Sequence, residues 1–581
     1  MNGKVLLSGN EAIARGAWEA GVKVASGYPG TPSTEIMENL AKYKADLYCE
    51  WAPNEKVAVE MAAGAALTGA RSMCTMKLVG LNVAADPLMT LSYIGVEAGL
   101  VLCVADDPGQ YSSQTEQDTR HYARLAKIPL LDPADAQEGK DFIGAAFAIS
   151  EQYRTPVILR TTTGVSHSRS MVLPGERQES DRKIGWQKNP PKYVPLPVWG
   201  RGMRRHAEDR LVELAAAASA SPLNEMELKD QKLGIVTAGL TALHVREIFP
   251  EASILKLGWP YPFPDELLKR FAAQVDKVLV IEEADDFLEE HIKALGIACV
   301  GKQIVPRCGE LSPAQVSAVK ARWEGREAVL PVPVKQAADL PARPPILCAG
   351  CPHRGVFYAL TKFDVVVAGD IGCYSLGVFP PLDRTDVILC MGGGISMAHG
   401  IQKAGEPKKV VGIVGDSTFF HSGITGLLDI VYNRGASTII VVDNRTTAMT
   451  GHQDHPGTGR TLMGEQTEPV SIEAIGRACG VKRVKVVNPY DLAAVEQTLR
   501  EEMAADEPSL IISRAPCLLR EKKPCGPAKH IDPQRCKTCK ACLKLGCPAL
   551  EFAGGKPTIN PDLCAGCDMC RQVCRFGAIQ D

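Results

Sequence analysis

The chain has 581 residues, 45% of them hydrophobic and 23% charged, with a formal net charge of −2. One hydrophobic core cannot serve that length, so several domains are expected, and the near-neutral balance argues against a general footprint for nucleic acid or an anionic membrane. The N-terminal stretch has no basic head followed by an apolar run and a small-residue cleavage site, so no export signal is read and a cytoplasmic location is expected. The most apolar stretch, Leu78 to Ala105, is broken by Asp86, Pro87 and Glu97, so no membrane segment is expected.

Residues 1–180 open with short apolar runs (VKVASGYPG, SMCTMKLVG, AGLVLCVADDPG, TPVILRTTT) alternating with Ala-rich helical stretches, the pattern of a parallel sheet covered by helices. Residues 181–230 begin rich in Pro, Lys and Arg with little periodicity and are read as a connecting arm. A second α/β unit over 231–310 has candidate strands LGIVTAG, ASILKLG and KVLVIEE, and 311–344 carries a Pro-rich linker. A third unit over 345–520 has candidate strands DVVVAGD, DVILCMG, KVVGIVG, STIIVVD and SLIISR. Residues 525–581 form a small Cys-rich module too poor in large apolar residues to stand without metal.

Of 20 cysteines, eight crowd into the stretch from Cys536 to Cys574. In a chain with no export signal such crowding reads as metal ligation. Cys536, Cys539 and Cys542 form one CxxCxxC run and Cys564, Cys567 and Cys570 another. In the bacterial two-cluster ferredoxin pattern the fourth Cys of each run ligates the other cluster. That assigns one 4Fe-4S cluster to Cys536, Cys539, Cys542 and Cys574, and the other to Cys564, Cys567, Cys570 and Cys547. The first run departs by one residue before Cys547, and Arg575 follows Cys574 where Pro is usual. Zinc knuckles are the alternative, and the absence of His from both runs weighs against them.

In the third unit Gly415-Asp416-Ser417 follows one candidate strand and Asp443-Asn444 ends the next. Oxygen ligands at adjacent strand tips suit a magnesium ion that also holds a diphosphate. This run resembles the GDG…NN motif of thiamine-diphosphate enzymes, with Ser417 in place of Gly and Asp443 in place of the first Asn. The resemblance names Asp416, Asn444 and the Thr446 carbonyl as magnesium ligands. Upstream, Gly392-Gly393-Gly394 lies between strand and helix, where backbone N–H groups can cradle phosphate, a tight turn with close helix packing being the alternative.

GYPGTPST, then Asn54-Glu55-Lys56 opening AVEMAAGAALTGAR, resembles the pyrimidine-binding domain of the 2-oxoacid:ferredoxin oxidoreductase family. The resemblance gives Glu55 the hydrogen bond to N1′ of the aminopyrimidine, with Glu60, one turn on, as competitor. It also implies a third 4Fe-4S cluster beside the thiamine, held by Cys348, Cys351, Cys373 and Cys517, with buried free thiols as the alternative. Cys49, Cys74, Cys103, Cys299, Cys308, Cys390, Cys479 and Cys525 have no assignment.

The resemblance covers essentially the whole chain and is strongest toward the branch acting on arylpyruvates, through YPGTPSTE, DDPGQYSSQTEQDTRHYAR and TAMTGHQDHPGTG. It implies an α/β fold with thiamine-diphosphate-binding doubly wound parallel-sheet domains, a transketolase-C-terminal-like α/β domain and a C-terminal 2x[4Fe-4S] ferredoxin-like domain. It implies oxidative decarboxylation of arylpyruvates such as indolepyruvate and phenylpyruvate to aryl-acetyl-coenzyme A, with electrons passed to ferredoxin. A smaller beta (gamma-type) subunit is expected as partner, in a dimer of heterodimers. Thr31 is the first candidate to bind substrate. Arg120 and His121 follow as cations for its carboxylate, with Arg124 close behind and an ion pair as the alternative for each. His452, Gln453 and His455 lie just beyond the magnesium loop and are candidates to shape the substrate pocket.

Overall fold

The computed structural model describes residues 3–328 and 345–581. Residues 329–344 of the Pro-rich linker lie outside the described residues. The chain divides into two units, Met1–Leu340 and Pro341–Asp581.

In the first unit, six parallel strands lie in the order Tyr48–Trp51, Val24–Gly27, Ser72–Lys77, Leu100–Asp106, Val157–Thr162 and Leu130–Leu131. Leu100–Asp106 and Val157–Thr162 are buried along their whole length, as apolar runs must be when helices cover both faces of a parallel sheet. A second sheet runs Cys299–Val300, Val278–Ile281, Asp230–Ala238, Ala252–Leu257 and Asn224–Glu227, the last strand antiparallel. Leu255, Leu257, Phe263 and Phe287 from this second region pack in one core with Leu100, Leu102 and Ile128 from the first. The two α/β regions therefore share apolar burial instead of standing apart.

The connecting arm differs from expectation. Residues Pro197–Ala220 form a 24-residue helix that buries Met203, Ala207, Arg210, Leu214 and Ala218, a helical spacing hidden by the basic residues between them. Inside 311–344, Pro313–Trp323 is also helical, started by the Ser312 cap, and its Val316 and Val319 enter the core beneath the second sheet.

The second unit holds a parallel five-stranded sheet in the order Val365–Ala368, Lys409–Gly415, Thr438–Asp443, Ser509–Arg514 and Arg483–Val487. DVILCMG is not a strand. It touches the sheet through a single bridge, Ala368 to Val387, and most of it is exposed. Arg483–Val487, which interleaves apolar and basic residues, takes an edge instead. The tail adds two short antiparallel ladders. Among the described residues no helix is long and apolar enough to cross a membrane.

Candidate active site

In the first unit, Asn54 caps the helix Glu55–Leu67 by accepting the Val57 amide at 2.9 Å, which places Glu55 in its first turn. Glu55 is buried against Gly80, where an added Cβ would lie 2.6 Å from Glu55 Oε1. Glu60 is exposed and paired with Lys56. Burial thus separates the two carboxylates that spacing alone left competing.

Thr31 follows the strand Val24–Gly27, and its carbonyl accepts the Ser112 hydroxyl at 3.0 Å. Arg120 is not an open cation. It is 1% exposed, grips both Asp118 oxygens and bonds Glu282 at 2.6 Å and the Glu283 carbonyl at 2.9 Å. A buried guanidinium held between two carboxylates has its charge committed to the protein and not to a substrate. His121 and Arg124 meet Asp285 at 3.0 Å and Glu290 at 3.2 Å at the surface. All three side chains hold the second α/β region. Lys77, which no sequence motif marks, is a half-buried cation at the carboxyl end of Ser72–Lys77 whose Nζ donates to the Ser112 carbonyl at 3.2 Å.

In the second unit, Lys409–Gly415 and Thr438–Asp443 are parallel neighbours with Gly415 opposite Val442. That register brings Asp416 and Asn444 to adjacent strand tips, and both are buried with Thr446. The Gly457 amide donates to His455 Nδ1 at 3.1 Å, so the ring proton sits on Nε2, which reaches Asp416 Oδ2 at 3.0 Å. Burial alone would raise the Asp416 carboxyl, but His455 and the Ser417 amide hold it below the usual range. Burial and the Asp416 charge push Asp443 up, against Arg514. His353, driven down to about 4 by burial, meets Asn444 Nδ2 through Nε2 at 3.3 Å. Ser417, standing where the motif has Gly, accepts the Thr447 hydroxyl at 2.9 Å. A buried carboxylate on Asp416, the Asn444 amide oxygen and the Thr446 carbonyl are the hard donors a magnesium ion takes, so these residues fit the ion.

The Gly392–Gly394 turn is otherwise engaged. The Gly392 and Gly394 amides donate to the Asp370 carboxylate at 3.1 and 3.0 Å, and Gly393 donates to the Cys390 carbonyl at 3.0 Å. Asp370 thus takes the N-terminal end of the helix Gly393–Lys403 that a phosphate was expected to use. Gly394 serves close packing, since an added Cβ would lie 2.7 Å from the Gly369 carbonyl.

Cys348 and Cys351 precede the helix His353–Leu360, Cys373 opens a short turn, and Cys517 follows Ser509–Arg514. Burial and the neighbouring Cys348 and Cys517 push Cys373 up to about 11, and burial pushes Cys351 up to about 12. In the tail, one cavity is lined by Cys547, Cys564, Cys567 and Cys570 and another by Cys536, Cys539, Cys542 and Cys574. Backbone N–H groups of Lys529 and Ala578 point at Cys564 Sγ and Cys574 Sγ at 3.3 and 3.4 Å. Such donors stabilise thiolates, so both sets fit iron–sulfur ligation. No disulfide joins any cysteines among the described residues. The tail is fastened beside the Cys348–Cys351 loop. Arg354 donates to the carbonyls of Leu347, Cys348 and Leu545, and Tyr490 donates to the Gly350 carbonyl while its own accepts Gln572.

Oxygen donors at the tips of one parallel sheet, with cysteine sets beside them, define a thiamine-diphosphate enzyme carrying 4Fe-4S clusters. Family comparisons agree. "Pyruvate flavodoxin/ferredoxin oxidoreductase, thiamine diP-bdg" matches residues 15–198, "Thiamine pyrophosphate enzyme, C-terminal TPP binding domain" residues 370–513, and "4Fe-4S binding domain" residues 557–580. The indolepyruvate oxidoreductase subunit IorA of Methanothermobacter marburgensis is 42% identical over 99% of this chain and 97% of its own length. That of Archaeoglobus fulgidus is 39% identical over the same shares. A 2-oxoglutarate synthase subunit KorA of Methanothermobacter thermautotrophicus is 26% identical over 53% of this chain and 95% of its own. The chain belongs to the IorA family of indolepyruvate oxidoreductase subunits, within the 2-oxoacid:ferredoxin oxidoreductases.

Proposed function

We propose that the chain, with a smaller partner subunit, converts arylpyruvates, coenzyme A and oxidised ferredoxin to aryl-acetyl-coenzyme A, carbon dioxide and reduced ferredoxin. The observation that carries this reading is the placing of Cys517 against the magnesium loop: its amide donates to the Asn444 carbonyl at 2.9 Å. A single hydrogen bond then separates a candidate cluster ligand from a candidate magnesium ligand.

Thiamine diphosphate supplies, when bound, the electron sink for breaking the bond between carboxylate and carbonyl carbon, and the iron–sulfur clusters accept electrons singly. Asp416, Asn444 and the Thr446 carbonyl hold magnesium, and His455 orients Asp416. Glu55, buried against Gly80, would hold the aminopyrimidine N1′ by a hydrogen bond. Cys348, Cys351, Cys373 and Cys517 hold one cluster and the tail cysteines two more. Arg354 and Tyr490 keep the Cys348–Cys351 loop and the tail in fixed register, as stepwise electron passage requires.

The test is anaerobic production of the chain with its small subunit, followed by coenzyme-A-dependent reduction of a low-potential dye with indolepyruvate, phenylpyruvate, pyruvate and 2-oxoglutarate. Reduction with the arylpyruvates, abolished in Asp416→Ala and Glu55→Ala, is expected. Preference for 2-oxoglutarate or pyruvate would overturn the aryl assignment while leaving the enzyme class.

A further inference from the structure

Resting on the 2-oxoacid reading above, we propose that Lys77 receives the substrate carboxylate and so fixes which end of the 2-oxoacid enters the site.

Ser72–Lys77 lies between Val24–Gly27 and Leu100–Asp106, all parallel, so the segments after these strands emerge at one edge. Carboxyl ends of parallel strands are where α/β folds form their ligand crevices. Lys77 is the last residue of its strand, and its stem lies along Gly30, where an added Cβ would meet Lys77 Cγ at 3.1 Å. The absence of a side chain at Gly30 is therefore what lets the ammonium reach this edge. From there Nζ donates to the Ser112 carbonyl at 3.2 Å, and the Ser112 hydroxyl donates to the Thr31 carbonyl at 3.0 Å. Lys77 and Thr31 thus meet the same residue.

The other cations of the region are committed. Arg120 is closed by Asp118 and Glu282, and Arg160 by Asp106 and Asp132. Among the described residues, Lys77 Nζ makes no ion pair. The charges of Asp107 and Glu55 act on it without an ion-pair contact. Asp107 is already satisfied by the Ser112 amide and hydroxyl and by the Thr163 hydroxyl. A half-buried ammonium in this setting gains from an incoming carboxylate through a charge-assisted hydrogen bond. A lysine suits the task because its point charge tolerates the change from carboxylate to departing carbon dioxide without the fixed fork of arginine.

The test uses the cofactor-loaded complex and two unreactive analogues, 3-phenyllactate and its neutral amide. Lys77→Met is expected to weaken 3-phenyllactate about ten- to a hundredfold and to leave the amide unchanged. Lys77→Arg should keep most of the carboxylate's affinity. In turnover, KM for the arylpyruvate should rise more than kcat falls. Equal loss of both analogues would mean a structural role and overturn the proposal, as would retention of both. A wild-type complex holding neither analogue would remove the arylpyruvate reading and this inference with it. Binding that Lys77→Met leaves intact would remove only the Lys77 assignment.

Discussion

The backbone N–H of Cys517 donates to the carbonyl oxygen of Asn444 at 2.9 Å, and two residues earlier the Ala515 amide donates to the Asp443 carbonyl. The chain leaving Ser509–Arg514 is thereby laid along the tip of Thr438–Asp443. Arg520 tightens the same junction, donating to Thr446 Oγ1 at 2.9 Å and to the His452 carbonyl at 3.3 Å. The candidate magnesium-loop residues and Cys517 are thereby tied to one another.

His455 should matter through Asp416. Removing it leaves a buried carboxylate oxygen without its donor and frees the carboxylate to turn. His455→Ala should raise the magnesium concentration for half-maximal thiamine diphosphate binding about 10–100-fold. Calorimetric titration of the apoprotein at fixed cofactor checks this, and an unchanged requirement would count against Asp416 as ligand.

Gly80→Ala should act on Glu55. The new methyl group would lie 2.6 Å from Glu55 Oε1, so the carboxylate must shift. Overpacking of this kind costs about 1–3 kcal/mol. The variant should remain folded by circular dichroism but lose most turnover, whereas Glu60→Ala, at an exposed surface pair, should keep it.

The crosswise ligation in the tail has a diagnostic. Cys574 follows Cys570 closely in the chain yet lines the cavity of Cys536, Cys539 and Cys542. Cys574→Ser and Cys536→Ser should therefore perturb the same electron-paramagnetic-resonance signal, and Cys547→Ser should perturb the one lost in Cys564→Ser. Pairing of Cys574 with Cys564 in effect would overturn the assignment.

A pH effect should come from Glu283, which burial pushes up to about 7, although Leu311 donates an amide to it. Because the folded state holds this proton more tightly than the unfolded chain, stability falls as pH rises from the ordinary carboxylate range to about 7 and is level above that. Glu283→Gln keeps the acceptor without the charge. It should gain stability over wild type at pH 8 relative to pH 5, read by chemical denaturation in the first unit.

The chemistry was more legible in the sequence than its supports. Cysteine spacing and the Gly-Asp and Asn strand ends are local, so they showed themselves. For Arg120 ligand and ion pair both stayed open, because its partner Glu282 comes from a distant segment and no local pattern announces a pair closed by tertiary packing. For Gly392–Gly394 phosphate cradle and tight turn stayed open for a similar reason: the carboxylate that takes the Gly392 and Gly394 amides comes from Asp370, across a loop. The DVILCMG run has strand composition but lacks a neighbour on which to form a ladder, and the helix Pro197–Ala220 was masked by prolines and basic residues at its start. Lys77 gave no signal, because a lysine ending a strand is ordinary until its surroundings are known.

Only one of the tail's two small apolar clusters, that of Cys542, Leu550 and Ile579, is its own. Leu545 and Met569 pack with Leu492, which belongs to the sheet-bearing part of the second unit, and Gln572 also caps the Leu492 amide at 3.0 Å. Excised as a free-standing redox protein, residues 525–581 would therefore expose a raw apolar seam and aggregate. A chimera that exchanges this tail for a diffusible ferredoxin would need Tyr490 and Leu492 redesigned along with it.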